Sequence, residues 1–507
     1  MCDQLRADYL GCYGHPGIRT PNIDALARMG TTFTRAYTAS PTCGPSRMSF
    51  YTGRSMTSHG AVWNFMPLSI RERTIGDLLR PHGFRVALAG KTHFAPDEEQ
   101  ARRLRVPAEV MRYLDEGGFE VADRYEGHAD PGGEHPYVSY LKRRGYGDDP
   151  WNEHVMSAVD RDGSLVSGWH MRNVHLPARV REEHSETAYT TDVAIDFVRR
   201  QADEPWFLHL SYIKPHWPYL APEPYHAMYS RDDCLPVNRS ETELQDAHPV
   251  YAAYLQHRES RAFSSQEVAT HVKIPYMGLV SQIDAHLGRV MQVLRETNQL
   301  ENTLIVFTSD HGDYLGDHWL GEKDLFHEPS ARIPMIVVDP QRKPALAGST
   351  SSALVEAIDV LPTVMEALGL PVPAHLLEGE SMLNFTRARG APTREAAVSE
   401  IDYSFREARL ALHQDARRCR GYMVRSERWK YIFWEGFREQ LFDLQEDPRE
   451  LRDLAVSGDL QSVRHAHKDL LFAWLRSRKL SVTVPDDRIC VSRHTIEPQH
   501  GIQIGVW

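Results

Sequence analysis

The sequence predicts an α/β protein: a large mixed, mostly parallel sheet sandwiched by helices, with a smaller C-terminal α+β domain. Three observations predict it. Short apolar runs alternate with helical stripes up to about residue 390. The runs are continuous, as in strands covered on both faces. Beyond residue 391 the pattern changes to short alternating segments. In order, a helix over 74–79 leads into a strand at 85–89. A helix through Ala194, Ile195, Phe197 and Val198 leads into a strand at 206–210. The stripe Val280, Ile283, Leu287, Val290 and Leu294 predicts a helix over 276–294, and a strand at 304–308 follows it. The stretch 116–186, rich in Gly, Pro, His and charge, reads as a polar excursion or lid. Strands at 429–433 and 441–444, a helix near 469–478 and a polar tail complete the chain. The expected division is a larger domain over 1–390 and a C-terminal subdomain over 391–507.

Composition excludes several partners. With 58 Lys+Arg against 69 Asp+Glu in 507 residues the net charge is −11, the wrong sign for a phosphate backbone, so nucleic acid is not expected. No run approaches the roughly 18 apolar residues of a membrane span. Asp3, Arg6 and Asp8 interrupt any secretory hydrophobic region at the start. Six scattered cysteines (Cys2, Cys12, Cys43, Cys234, Cys419, Cys490) form no disulfide framework, so a reducing cytoplasm is expected. The charged stretch 439–453 reads as a solvated surface.

Ligands of such sheets bind beyond the carboxyl ends of the strands. The polar residues there are Gly90-Lys91-Thr92-His93, Lys214-Pro215-His216 and Ser309-Asp310-His311-Gly312. The window Cys43-Gly44-Pro45-Ser46-Arg47 adds a cysteine where Pro45 would open a helix, so the dipole favours negative charge on the sulfur. Arg47, one turn on, brings a permanent cation to the same spot. Asp3 and Gln4 with Asp310 and His311 would offer hard oxygens and one imidazole to a cation.

The window from Cys43 to Arg54 resembles the signature of the sulfatase family of the alkaline phosphatase superfamily. The segments 20–26, 90–93, 308–312 and 441–448 resemble that family's landmarks in the same order. The resemblance implies an alkaline phosphatase-like fold and oxidation of Cys43 to formylglycine by a formylglycine-generating enzyme. It also implies one divalent metal ion held by Asp3, Gln4, Cys43, Asp310 and His311. Manganese or calcium is expected, with zinc or iron as alternatives. Cys43, Arg47, Lys91, His93, His216 and Lys323 are the implied catalytic residues. Asn64, Lys91, His216 and Lys323 are the implied substrate contacts, with a turn-forming role for Asn64 as the alternative. Lys91 and His93 match the sulfatase pattern, whereas His311 and Cys43-Gly44 resemble the phosphonate monoester hydrolase branch. The expected activity is therefore arylsulfatase-like, overlapping phosphonate monoester and phosphodiester hydrolysis. The alternatives are a primary phosphonate monoester hydrolase and an inactive, binding-only relative, the latter because little chain precedes Asp3. A homo-oligomer is suggested by the resemblance and by the apolar tail at 502–507.

Overall fold

The computed structural model describes residues 1–127, 135–201, 204–388, 390, 394–479, 482–485 and 488. The tail at 489–507, Cys490 and residues 391–393 lie outside the described residues.

Two four-stranded sheets meet through a parallel bridge between Cys2 and Ser309, which makes one eight-stranded layer. Its order is Val121–Arg124, Arg85–Gly90, Trp206–Pro215, Cys2–Asp3, Ile305–Thr308, Arg332–Val338, Thr31–Tyr37 and Ser349–Glu356. Only Arg332–Val338 runs against the others, pairing antiparallel with both neighbours. Successive side chains of a strand point to opposite faces. Accordingly Ile336 and Val338 join one apolar cluster while Ile333, Met335 and Val337 join another. The first cluster is closed by the helices Pro21–Met29, Glu186–Arg200 and Gln266–Glu296. The second is closed by Cys43–Thr52, Ile75–Leu79 and Val360–Ala367. Burial on both faces is what makes these strands read as unbroken apolar runs.

The predicted helix at 276–294 is the middle of Gln266–Glu296, whose N-cap Ser265 accepts from the Val268 amide. The predicted strand at 206–210 runs on to Pro215. Val121–Arg124, read as part of the polar excursion, is the edge strand of the sheet in parallel register with Ala87–Gly90. Polar sequence there conceals it because an edge strand is covered on fewer sides. Downstream, a four-stranded antiparallel sheet is built from Ala397–Asp402, Arg420–Arg425, Trp429–Trp434 and Gln440–Asp443, with helix Gln461–Arg476 packed against it. The charged stretch 439–453 is not simply a solvated surface. Glu450 is buried in an ion pair with Lys430, and Asp443 is buried beside Arg428. Among the described residues, no helix is long and apolar enough to cross a membrane.

Candidate active site

The carboxyl ends of the co-directional strands converge, so Asp3, Lys91, His216 and the Asp310-His311 pair arrive together from distant parts of the chain. Cys43 opens the buried helix Cys43–Thr52. Thr42 is its N-cap, so the helix starts two residues earlier than Pro45 suggested. Proline is tolerated at its third position because no intrahelical acceptor exists there for an N–H. The Gly44 amide donates to Asn64 Oδ1 at 2.8 Å. A Cβ on residue 44 would lie 2.9 Å from Asn64 Cα and Trp63 O, so only glycine permits this approach. Asn64 thus braces the turn that carries the thiol.

Around Cys43 Sγ stand His311 Nε2 at 3.1 Å, Lys323 Nζ at 3.3 Å and Asp3 Oδ1 at 3.9 Å. Arg47 is wholly buried and donates to Asp310 Oδ2 (2.8 Å), Asp3 Oδ2 (3.3 Å), Ser211 Oγ and the Lys91 carbonyl (both 2.8 Å). Lys91 also pairs with Asp3 Oδ2. The cations therefore hold Oδ2 of each carboxylate. Asp310 Oδ1 accepts the Gln4 and His311 amides, each at 3.0 Å, while Asp3 Oδ1 faces the thiol and the imidazole.

Donor atoms of Asp3, Cys43, Asp310 and His311 lie within 4.8 Å of one another, all buried. His311 Nδ1 is 2.9 Å from the Gly312 carbonyl, so Nδ1 keeps a proton there and Nε2 points at the cluster. Two carboxylates and an imidazole suit a divalent cation with oxygen and nitrogen preference. Burial and Asp3 push the Cys43 pKa up, but Lys323, Lys91 and His311 outweigh them and bring it below the ordinary thiol range. Burial also disfavours the charged form of Asp3, yet Lys91, Arg47 and Lys323 hold its carboxyl well below the usual range. Burial would lower His311, but Asp310 and Cys43 raise it to about 9, so a cation bound here displaces a proton.

Gln4 adopts a left-handed backbone, φ 64°, which costs about 1–3 kcal/mol for a residue with a side chain. This conformation turns its amide into the cluster, where Oε1 accepts from Lys323 Nζ at 3.0 Å. Lys323 Nζ lies 3.1 Å from His216 Nε2, and His216 Nδ1 meets the Trp217 carbonyl at 2.7 Å. His93, φ 54°, adjoins the network from Lys91. Its amide donates to Glu126 Oε2 at 3.0 Å and its ring lies 4.3 Å from that of Phe65. Sequence reasoning passed over Ser211, Asp313, Tyr219 and Glu126. Asp313 sits three residues beyond Asp310 in the same post-strand loop, a signal that was available. Glu126 lies in the polar stretch and had none.

A model of the sulfatase family matches residues 1–370, more than half of the chain. The chain belongs to the sulfatase family. Its members are hydrolases, and the fold agrees with solved sulfatase-family structures. A second model, described as the C-terminal part of N-sulphoglucosamine sulphohydrolase, matches residues 316–476. A multifunctional alkaline phosphatase superfamily protein of Trinickia caryophylli is 32% identical over 90% of both chains. An arylsulfatase of Clostridium perfringens is 29% identical over 95% of both. The crystal structure of a phosphonate monoester hydrolase of Agrobacterium radiobacter superposes with a TM-score of 0.82 at 30% identity, covering 94% of this chain and 95% of that one.

Proposed function

We propose that the protein hydrolyses sulfate monoesters of aryl type, with overlapping phosphonate monoester and phosphodiester hydrolysis. The observation that carries this reading is the placement of Cys43 Sγ at a helix start, 3.1 Å from His311 Nε2 and 3.3 Å from Lys323 Nζ, beside two buried carboxylates. The family resemblance implies conversion of Cys43 to formylglycine. Its hydrated aldehyde supplies one hydroxyl as nucleophile and a second through which the product is released. A divalent cation held by Asp3, Gln4, Asp310, His311 and the converted side chain would supply the charge that lowers a hydroxyl pKa and neutralises a developing anion.

The protein's own side chains do the rest. Arg47 holds both carboxylates in place. Lys323 and Lys91 bring cationic N–H groups to a tetrahedral anion, whose charge spreads over its outer oxygens in the transition state. His216 Nε2, fixed by the Nδ1 contact to Trp217, is aimed at the same space and can pass a proton to the departing oxygen, with His93 as its counterpart beside Lys91. Phe65 is 50% exposed, and Phe405, 58% exposed, stacks on Trp63 with ring centres 5.6 Å apart. These rings flank Asn64 and favour a flat apolar leaving group.

A phosphonate monoester hydrolase is the second reading, favoured by His311, by Cys43-Gly44 and by the 30% identical phosphonate monoester hydrolase structure. Both reactions pass through trigonal-bipyramidal anions, so kcat/KM for matched aryl sulfate and aryl phosphonate esters decides between them. A higher value for the sulfate is expected, and the reverse order establishes the second reading. Mass spectrometry of the Cys43 peptide from protein made with its maturation machinery is expected to show the oxidised residue. An unmodified thiol there points instead to the binding-only relative.

A further inference from the structure

Asp313 is fully buried beside the cluster and is shared by three donors. Its Oδ1 accepts the Leu315 amide at 3.0 Å. Its Oδ2 accepts both the Tyr219 hydroxyl at 2.6 Å and Gln4 Nε2 at 2.5 Å. Ionised, a carboxylate can only accept, so whichever end of the Gln4 amide faces it must be the NH2 end. At the opposite end Lys323 Nζ, which can only donate, meets Oε1 at 3.0 Å. An amide oxygen is a ligand for a hard cation, and an amide nitrogen is not.

We infer that Asp313 is a positioning residue which fixes the Gln4 amide with its oxygen toward Lys323, whose ammonium also meets Cys43 Sγ. The inference rests on the proposed reading of a divalent cation at this cluster. An asparagine at 313 cannot serve all three donors. With its oxygen toward the Leu315 amide, its NH2 opposes Gln4 Nε2. With its oxygen toward Gln4, its NH2 opposes the Leu315 N–H. Flipping Gln4 merely moves the conflict to Lys323. A glutamate at position 4 removes the problem, since both of its oxygens accept. Gln4→Glu with Asp313→Asn keeps the net charge of the wild type.

The test is calorimetric titration of chelator-treated, full-length protein with Mn²⁺, comparing wild type, Asp313→Asn and Gln4→Glu/Asp313→Asn from one expression host. Asp313→Asn is expected to weaken Mn²⁺ binding about 10–100-fold, the usual effect of losing a residue that orients a ligand. The double variant is expected to return to within about fivefold of wild type. A loss of packing alone would not be repaired by a charge-neutral exchange of acid and amide. Unchanged affinity in Asp313→Asn overturns the inference, as does a double variant that binds no better than the single one. Should Asp313→Asn be insoluble, the double variant still decides: near-wild-type affinity supports the inference, and weak binding overturns it. Wild-type protein that takes up no Mn²⁺ overturns the cation reading and this inference with it, which separates the two failures.

Discussion

A serine at position 43 would keep an oxygen nucleophile within reach of His311 and Lys323, but it would lack the second hydroxyl through which the ester is released. Cys43→Ser is therefore expected to lower steady-state kcat roughly a hundredfold or more while a covalent adduct accumulates, read by intact-protein mass. Full turnover in that variant would exclude the formylglycine reading. Cys43 and Arg47 were legible because both lie within one helical turn of sequence and their chemistry is distinctive. What no local pattern reveals is that Arg47 pairs with Asp310, 263 positions away, or that the carbonyl of Lys91 and the hydroxyl of Ser211 complete its donor set.

Elements were legible in proportion to their burial. The stripe from Val280 to Leu294 declares its period because its apolar side chains are buried. Asp284 shows the limit. From its place in the stripe it reads as a cap or an ion-pair partner, and only packing decides. Its carboxylate caps a different helix, Pro21–Met29, accepting the Asn22 amide at 2.9 Å and the Ile23 amide at 2.7 Å. Burial raises its pKa to about 6, against the opposing pull of those hydrogen bonds. Because the folded pKa lies above the unfolded value near 3.9, the associated stability is fully present below about pH 3.9 and is lost as pH rises through about 6. Asp284→Asn keeps an oxygen for both amides but does not titrate. The stability of wild type relative to this variant is thus expected to fall by roughly 2–3 kcal/mol between pH 4 and pH 7, measured by denaturant unfolding. A pH-independent difference would refute it.

At the scale of the whole molecule, the C-terminal sheet is tied to the loops that carry the site. Tyr37, Phe326 and Leu354 share an apolar cluster with Ile401, Met423, Ile432 and Trp434. The Glu400 amide donates to the Ala39 carbonyl at 2.9 Å, and Lys430 Nζ donates to the Phe326 carbonyl at 2.8 Å. Arg406 pairs with buried Asp324, which in turn accepts from the hydroxyl of Thr42, the N-cap of the Cys43 helix, at 3.2 Å. Removing Arg406 leaves the Asp324 charge buried with one partner fewer. Arg406→Ala is expected to cost about 3 kcal/mol and to lower kcat, although residue 406 lies far along the chain from Cys43. Wild-type stability and kcat in that variant would show that the sheet does not support the site.

By itself the sequence determined the alternation of strands and helices, the family, and the residue types gathered at the strand ends, because these depend on local periodicity and on short motifs. Tertiary structure decided which oxygen of each carboxylate the cations hold, which way the Gln4 amide points, and that an acid in a polar stretch, Glu126, braces His93. Those outcomes turn on contacts between groups tens to hundreds of residues apart, and a hydrogen bond's direction is set by the partner that packing delivers rather than by sequence neighbours.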